Sequence, residues 1–428
     1  MKIVIMAGGK GTRIASVQAD VPKPMIKIAD KPILLHQVEA LRAQGYTDYI
    51  FCIGHLGHVV EEYFGDGKQF GVHISYIREE TPLGTAGALY YMKDALKEEE
   101  DFLLINGDIL FDIDVDRFYR YHKEKGGEVT LLTHPNSHPY DSGIIACDEN
   151  GCVTRWLHKE DERLYYQNRV NAGLHFMNTR VLDKFTEPAK RDLDRDILKP
   201  MISERTLFAY DSPEYVKDMG TPDRLEAAKH DLESGLVSGK NLKHLQKAVF
   251  LDRDGTLNKE VGFLRSADEL TLIDGVTEAV RKINESGYLA IVVTNQPVIA
   301  RGEVTFETLR EIHNKLETLL GMEGAYIDGL YFCPHHPNKG FEGEVAEYKI
   351  PCECRKPKPG MLLKAALDFR IDLSASYMIG DTLRDIQAGA AAGVTTCYLG
   401  NEEDCKKEAD YTFANLKEAI DTIFDQEQ

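Results

Sequence analysis

Asp252 and Asp254 stand two residues apart in VFLDRDGTLN, after an apolar run that starts at Ala248 and before Gly-Thr. If that run is a strand, Asp252 ends it, placed to attack phosphorus while Asp254 reaches the leaving oxygen. Such a pair divides the work of nucleophile and general acid. Three more polar residues stand at strand ends or helix starts: Thr294 in VVTNQ, Lys356 in CRKPKPG and Asp381 in IGDTLRD.

A second group lies near the start of the chain. In MAGGKGTR the glycines Gly8, Gly9 and Gly11 let backbone N–H groups close on phosphate oxygens as a run bearing side chains could not. Arg13, and Lys23 braced between prolines in VPKPM, supply cations to neutralise a triphosphate. Asp108 in LINGDILF is placed for a magnesium ligand, and Asp218 in VKDMGTP offers a second carboxylate.

The third group is Cys333 and His335 in CPHH with Cys352 and Cys354 in CECRKP. A Cys-x-His pair and a Cys-x-Cys pair joined by a loop give four soft ligands for a closed, structural tetrahedral Zn²⁺ site. His336 is the alternative histidine. The loop leads into Arg355 and Lys356, so the metal would fix the arm that carries the phosphate clamp.

These residues need elements to hold them. Strand-like runs at 3–6, 49–53, 72–77 and 102–106 alternate with amphipathic stretches at 32–44 and 85–96, the signature of a mainly parallel α/β sheet. A charged helical stretch at 223–235 ends on glycine, and 236–247 holds little apolar content. The alternation then restarts: strands at 248–252, 289–294, 327–332 and 377–380, helices at 276–286, 306–320 and 360–369. The expectation is two doubly wound α/β domains, 1–235 and 247–428, joined by a linker at 236–246, with ligands at the carboxyl ends of the strands.

The chain has 428 residues, ample for two cores, and its net charge of -19 argues against nucleic-acid and acidic-membrane partners. The opening apolar run is only a strand's length, and no run approaches a membrane span. Eight cysteines without a secretory signal point to a reducing, cytoplasmic compartment. The oligomeric state stays open.

The order of AGGKGTR, VPKPM, PLGTAGAL, NGD, NAGLHF and DMGTP resembles that of the sugar-1-phosphate nucleotidyltransferases across nearly all of 1–235. The spacing in GTRIASVQADVPKPM is most similar to the heptose-1-phosphate guanylyltransferases. The resemblance implies that Gly8, Gly9, Gly11, Thr12, Arg13, Lys23 and Gly84 hold the nucleotide, that Asp108 and Asp218 hold Mg²⁺, and that Lys159 and Asn171 contact the sugar phosphate. Glu79 and Glu80 in REETPLG lie where a base would sit, and a carboxylate suits guanine, hence GTP; Glu80 is the expected contact.

From residue 247 onward, DRDGTLN, TNQ, RKP and GDTLRD resemble the haloacid-dehalogenase-type phosphatases, which implies a phosphoaspartate on Asp252 and acid–base work by Asp254. In that family Thr294 and Lys356 would clamp the phosphoryl group, and Asp252, Asp254 and Asp381 would hold Mg²⁺. The zinc loop and ARGEV resemble the heptose-bisphosphate 7-phosphatases, with Asn295, Arg301 and Arg355 as substrate contacts; TNQPV replaces their usual TNQSG. The implied enzyme is bifunctional: it removes the 7-phosphate of D-glycero-D-manno-heptose 1,7-bisphosphate, then transfers GMP from GTP to the 1-phosphate. A transferase for mannose 1-phosphate or another hexose 1-phosphate, fused to a histidinol-phosphate-like or other sugar phosphatase, is the alternative.

Overall fold

The computed structural model describes residues 1–8, 21–340 and 342–426. It divides into two compact units: Met1–His134, Ile145–Trp156 and Asn171–Asn241 form the first, and Pro135–Ile144, Leu157–Val170 and Leu242–Gln428 form the second.

In the first unit the strand Ile3–Met6 lies between Asp48–Ile53 and Asp101–Asn106, parallel to both, and His73–Arg78 extends the sheet beyond Asp48–Ile53. Ile3, Val4 and Ile5 are fully buried, as a strand covered on both faces requires. The sheet is mixed: Val170–Asn178 runs antiparallel to Asp101–Asn106. A separate antiparallel ribbon pairs Ile109–Asp112 with Tyr215–Asp218.

The helix expected over 85–96 is instead a run of tight turns, Gly87–Met92, and one short helix, Lys93–Leu96. Backbone bonds explain the difference: Arg191 N–H donates to the Leu83 carbonyl at 2.9 Å and Ala86 N–H to that of Arg191 at 3.1 Å. Those long-range bonds pin the segment against 189–193 before a helix can start.

The second unit carries a six-stranded, wholly parallel sheet in the spatial order Gly329–Cys333, Leu289–Asn295, Ala248–Leu251, Tyr377–Gly380, Thr395–Leu399, Tyr411–Phe413. Ala248–Leu251, buried throughout, is thus central, and its carboxyl end opens between those of Leu289–Asn295 and Tyr377–Gly380. The helix Phe306–Met322 in this unit meets the segments 135–144 and 157–170. Arg169 and Glu317, both nearly inaccessible, pair at 3.3 Å, and the same Glu317 oxygen accepts from Asn168 N–H at 2.9 Å. Tyr166 N–H donates to Thr318 Oγ1 at 2.9 Å. No helix among the described residues is long and apolar enough to cross a membrane.

Candidate active sites and metal centre

In the first unit, Ala7 N–H donates to the Cys52 carbonyl at 2.7 Å, so the chain leaves the sheet at Gly8. A Cβ on Gly8 would stand 2.7 Å from Glu79 Oε2 and 3.3 Å from the Gly54 nitrogen, so a larger residue there would push the Glu79 carboxylate aside. Of the two glutamates, Glu79 is the one against this turn, whereas Glu80, the expected contact, is exposed. Among the described residues Glu79 Oε1 is buried with no hydrogen-bond partner, and burial raises its carboxyl above the usual range. Gly9, Gly11, Thr12 and Arg13 lie outside the described residues.

Asp108 follows the strand Asp101–Asn106 in a turn held by Gln37, whose Nε2 donates to the carbonyls of Asn106 and Ile109 at 2.9 and 2.7 Å. The ribbon register sets Asp218 opposite Ile109, and Met219 N–H donates to the Asp108 carbonyl at 3.0 Å. Two carboxylate residues distant in sequence thus become neighbours on the backbone. Lys23 pairs with Asp108. Arg224 Nη1 donates to both oxygens of Asp218, at 2.7 and 2.8 Å, a partner that the sequence reading did not single out. Each of the two carboxylates is thus held by a cation, Asp108 by Lys23 and Asp218 by Arg224.

Asn171 Oδ1 accepts from Gly173 N–H and His175 Nε2, each at 3.1 Å. Burial drives His175 down to about 3, so the ring is neutral. Lys159 is exposed in the segment counted with the second unit. Gly84 has φ of +81°, and a Cβ there would overlap the Arg191 carbonyl, so this glycine has a packing reason independent of any nucleotide.

The second unit builds its site on Asp252. Its N–H donates to the Ile379 carbonyl at 3.0 Å, so the ladder carries the residue to the end of the central strand. Lys356, buried, sets its ammonium 2.8 Å from Asp252 Oδ1 and 2.6 Å from Asp385 Oδ1, and donates to the Val293 carbonyl at 2.7 Å. Burial alone would lower the Lys356 ammonium, but Asp252 and Asp385 outweigh it. Burial likewise raises the Asp252 carboxyl, which Lys356 opposes.

Asp385, which the sequence reading missed, has two duties. One oxygen accepts from Thr382 N–H at 3.0 Å and Thr382 Oγ1 at 2.6 Å, closing a capping box on the helix Leu383–Ala392. The other faces Lys356. The Thr-x-x-Asp spacing in DTLRD was the available signal, but it reads as a cap.

Asp252, Asp381 and Asp385 each offer an oxygen to one point, all within 4.8 Å of one another. Among the described residues Asp381 Oδ1 is buried without a partner, and burial followed by Asp385 raises this carboxyl to about 6. Three hard donors, one of them orphaned, fit a divalent cation such as Mg²⁺. The Asp254 carboxylate, expected as a third ligand, lies outside that group. It is held by Arg253 Nη2 at 2.8 Å, Asn258 Nδ2 at 3.0 Å and Gln296 Nε2 at 2.9 Å, which orients it and satisfies its oxygens. Gln296 Nε2 also donates to Thr294 Oγ1 at 2.9 Å. Asn295 and Lys356 exchange bonds of 3.0 Å in both directions, tying the TNQ turn to the lysine arm.

That arm begins at the thiol cluster. Cys333, His335, Cys352 and Cys354 also converge within 4.8 Å. Sγ to Sγ separations are 3.2 Å for Cys333 and Cys354, 3.4 Å for Cys352 and Cys354 and 3.5 Å for Cys333 and Cys352, with His335 Nδ1 3.4 Å from Cys354 Sγ. Those edges approach the ~3.8 Å of a tetrahedron with Zn–S bonds of about 2.3 Å, so the donor set fits zinc. His336 turns away, its Nδ1 accepting from Asn338 N–H at 3.2 Å. Arg355 Nη1 donates to the His335 carbonyl at 3.1 Å.

Comparison with known proteins assigns both halves. Residues 2–235 match the nucleotidyl transferase family, and residues 201–393 the haloacid dehalogenase-like hydrolases. The chain is 47% identical over 152 residues to the D-glycero-beta-D-manno-heptose-1,7-bisphosphate 7-phosphatase of Yersinia pestis, covering 36% of this chain and 79% of that protein. This chain is therefore a nucleotidyl transferase joined to a haloacid-dehalogenase-like phosphatase. The Pasteurella multocida phosphatase of the same name is 40% identical over 177 residues, 40% of this chain and 94% of its own. The HddC structure from Yersinia pseudotuberculosis aligns with 54% of this chain and 99% of its own at 23% identity and a TM-score of 0.47. The phosphatase half of this fusion holds Asp252, Asp381, Asp385, Lys356 and the thiol cluster in one unit. Its transferase half holds Gly8, Glu79, Lys23, Asp108 and Asp218 in the other.

Proposed function

We propose that the two halves perform consecutive steps. The phosphatase half removes the 7-phosphate of D-glycero-D-manno-heptose 1,7-bisphosphate, and the transferase half moves GMP from GTP onto the remaining heptose 1-phosphate. The observation that carries this reading is Lys356 set between Asp252 and Asp385, in a chain 47% identical over 152 residues to a phosphatase named for that bisphosphate.

In the first step an Asp252 oxygen attacks phosphorus, and the bond from phosphorus to the C7 oxygen breaks. Asp254, held by Arg253 and Gln296, gives the leaving oxygen a proton. It then takes one from the water that attacks the phosphoaspartate, so phosphate departs and Asp252 is restored. Lys356 favours the ionised form of Asp252 and, with Thr294, offsets charge on the transferring group. A Mg²⁺ held by Asp252, Asp381 and Asp385 would neutralise the phosphoryl oxygens. A zinc on Cys333, His335, Cys352 and Cys354 would order the arm bearing Arg355 and Lys356.

In the second step a phosphate oxygen of the sugar attacks the α-phosphorus of GTP in line, and pyrophosphate leaves with its bridging oxygen. Positioning and charge neutralisation by Lys23 and by the carboxylates Asp108 and Asp218, which would hold a second Mg²⁺, serve this step without a covalent intermediate. The half-buried Glu79 carboxylate supports guanine: it can accept from N1–H and the exocyclic amino group, and a pyrimidine triphosphate offers no such pair.

Incubation with each anomer of the bisphosphate and each of four nucleoside triphosphates, followed by mass analysis, tests the proposal. Phosphate is expected from the bisphosphate whichever triphosphate is present, and GDP-heptose with pyrophosphate from GTP alone. Equal transfer to mannose 1-phosphate, or no phosphate released from either anomer, overturns it.

A further inference from the structure

In the first unit, Asp192 caps the short π-helix Leu193–Leu198, which carries two further acids, Asp194 and Asp196. The outer two have local duties: Asp192 Oδ1 accepts from Arg195 N–H at 2.9 Å, and Asp196 Oδ2 accepts from Asp192 N–H at 2.7 Å. Asp194 has no such local bond. Among the described residues the one hydrogen bond to its carboxylate comes from Asn171 Nδ2, across a long 3.5 Å.

Long-range bonds set the place of this carboxylate. Leu193 N–H donates to Thr85 Oγ1 at 2.7 Å, which ties the turn to PLGTAGAL. On its other side stands Asn171 of NAGLHF. The Asn171 amide has a fixed direction, because Oδ1 accepts both from Gly173 N–H and from the fully buried His175 ring, which leaves Nδ2 aimed at Asp194. A Cβ on Gly173 would stand 2.7 Å from Asn106 Nδ2, so the Asn171 strand end abuts the one that leads to Asp108. Asp194 and Asn171 are both partly exposed there. A carboxylate beside an amide N–H complements a hydroxyl, which gives its proton to the first and accepts one from the second. The pair does not suit a phosphate, which the carboxylate repels.

We propose that Asp194 accepts a hydrogen bond from a hydroxyl of the acceptor sugar beside Asn171, which makes it a sugar-binding residue of the transferase half. The inference rests on the transferase reading above and extends it to a residue outside both motifs.

Steady-state kinetics of pyrophosphate release on the full chain test it, with heptose 1-phosphate and GTP varied in turn. Asp194→Ala is expected to raise KM for heptose 1-phosphate about tenfold, with kcat and KM for GTP little changed. Asp194→Asn keeps the shape and one acceptor oxygen, so it is expected to show a smaller rise on the same substrate. Glu187→Gln, exposed in the same unit, removes equal charge and controls for a net-charge effect. A merely structural role would disturb PLGTAGAL, to which the turn is tied, and raise KM for GTP as well. An unchanged KM for heptose 1-phosphate in Asp194→Ala, an equal rise for GTP, or the same rise in the control overturns the inference while the transferase reading stands. Wild-type protein that transfers no GMP to heptose 1-phosphate overturns that reading and this inference with it.

Discussion

Gly255 lies directly against the Asp381 carboxylate: its φ is +80°, and a Cβ built on it would overlap Asp381 Oδ2. Gly255→Ala should therefore displace Asp381 from the group it shares with Asp252 and Asp385. The left-handed backbone alone costs about 1–2 kcal/mol for alanine. Phosphate release should fall by about two orders of magnitude or need far more Mg²⁺, while pyrophosphate release from GTP and heptose 1-phosphate stays at the wild-type rate. Titrating Mg²⁺ against both activities is the check, and an unchanged Mg²⁺ requirement would count against Asp381 as a ligand.

How far the sequence foretold this site depends on the range of the interaction. Asp252, Thr294 and Asp381 sit at strand ends because the apolar runs before them are strands, and local pattern shows that much. The convergence of Cys333, His335, Cys352 and Cys354 was legible from spacing alone. Asp385 was not, because its local bond to Thr382 hides its long-range pairing with Lys356. Glu79 and Glu80 are adjacent on one short turn, and only the approach of Gly8 and Gly54 separates the half-buried carboxylate from the exposed one. The segments 135–144 and 157–170 join the second unit through contacts spanning about 150 residues of sequence, such as Asn168 to Glu317, which no local pattern encodes.

That docking gives a stability test. Arg169 and Glu317 are both buried, so Arg169→Ala leaves a carboxylate buried without its cation and should cost about 3–5 kcal/mol. Arg169→Met combined with Glu317→Met should recover much of this, because neither charge remains. Denaturant melts of Arg169→Met, Glu317→Met and the double variant give the coupling. Additive losses would mean that the pair contributes nothing beyond its parts.

The first unit has its own titration. Burial, with Asp192 adding to it, raises Asp194 to about 7. A carboxyl raised on folding contributes stability that is full below the unfolded value and is lost as pH rises through the folded one. Asp194→Asn removes this dependence and can still accept from Asn171. The variant should melt above the wild type at pH 8 and by a smaller margin at pH 5. A margin equal at both pH values would show that Asp194 titrates normally.

Cys352→Ser should release the metal of the thiol cluster. Zinc-binding energy orders a loop, so its loss should loosen Arg355 and Lys356 and lower phosphatase activity while sparing nucleotidyl transfer. Metal analysis of the purified wild type is decisive, since less than one equivalent of zinc per chain removes the site.

Asp252→Asn separates the two chemistries. The amide preserves the shape beside Lys356 but is a far weaker nucleophile and ligand, so the phosphoaspartate cannot form. Lys23, Asp108 and Asp218, which we propose for the transfer step, all lie in the other unit, so transfer should be untouched. Given the bisphosphate and GTP, the variant should release no phosphate and make no GDP-heptose. Given heptose 1-phosphate and GTP, it should make GDP-heptose at the wild-type rate. Product masses from the two incubations read both outcomes. Near-normal phosphate release would exclude Asp252 as the nucleophile, whereas GDP-heptose 7-phosphate formed from the bisphosphate would show that the sequence of steps proposed here is wrong.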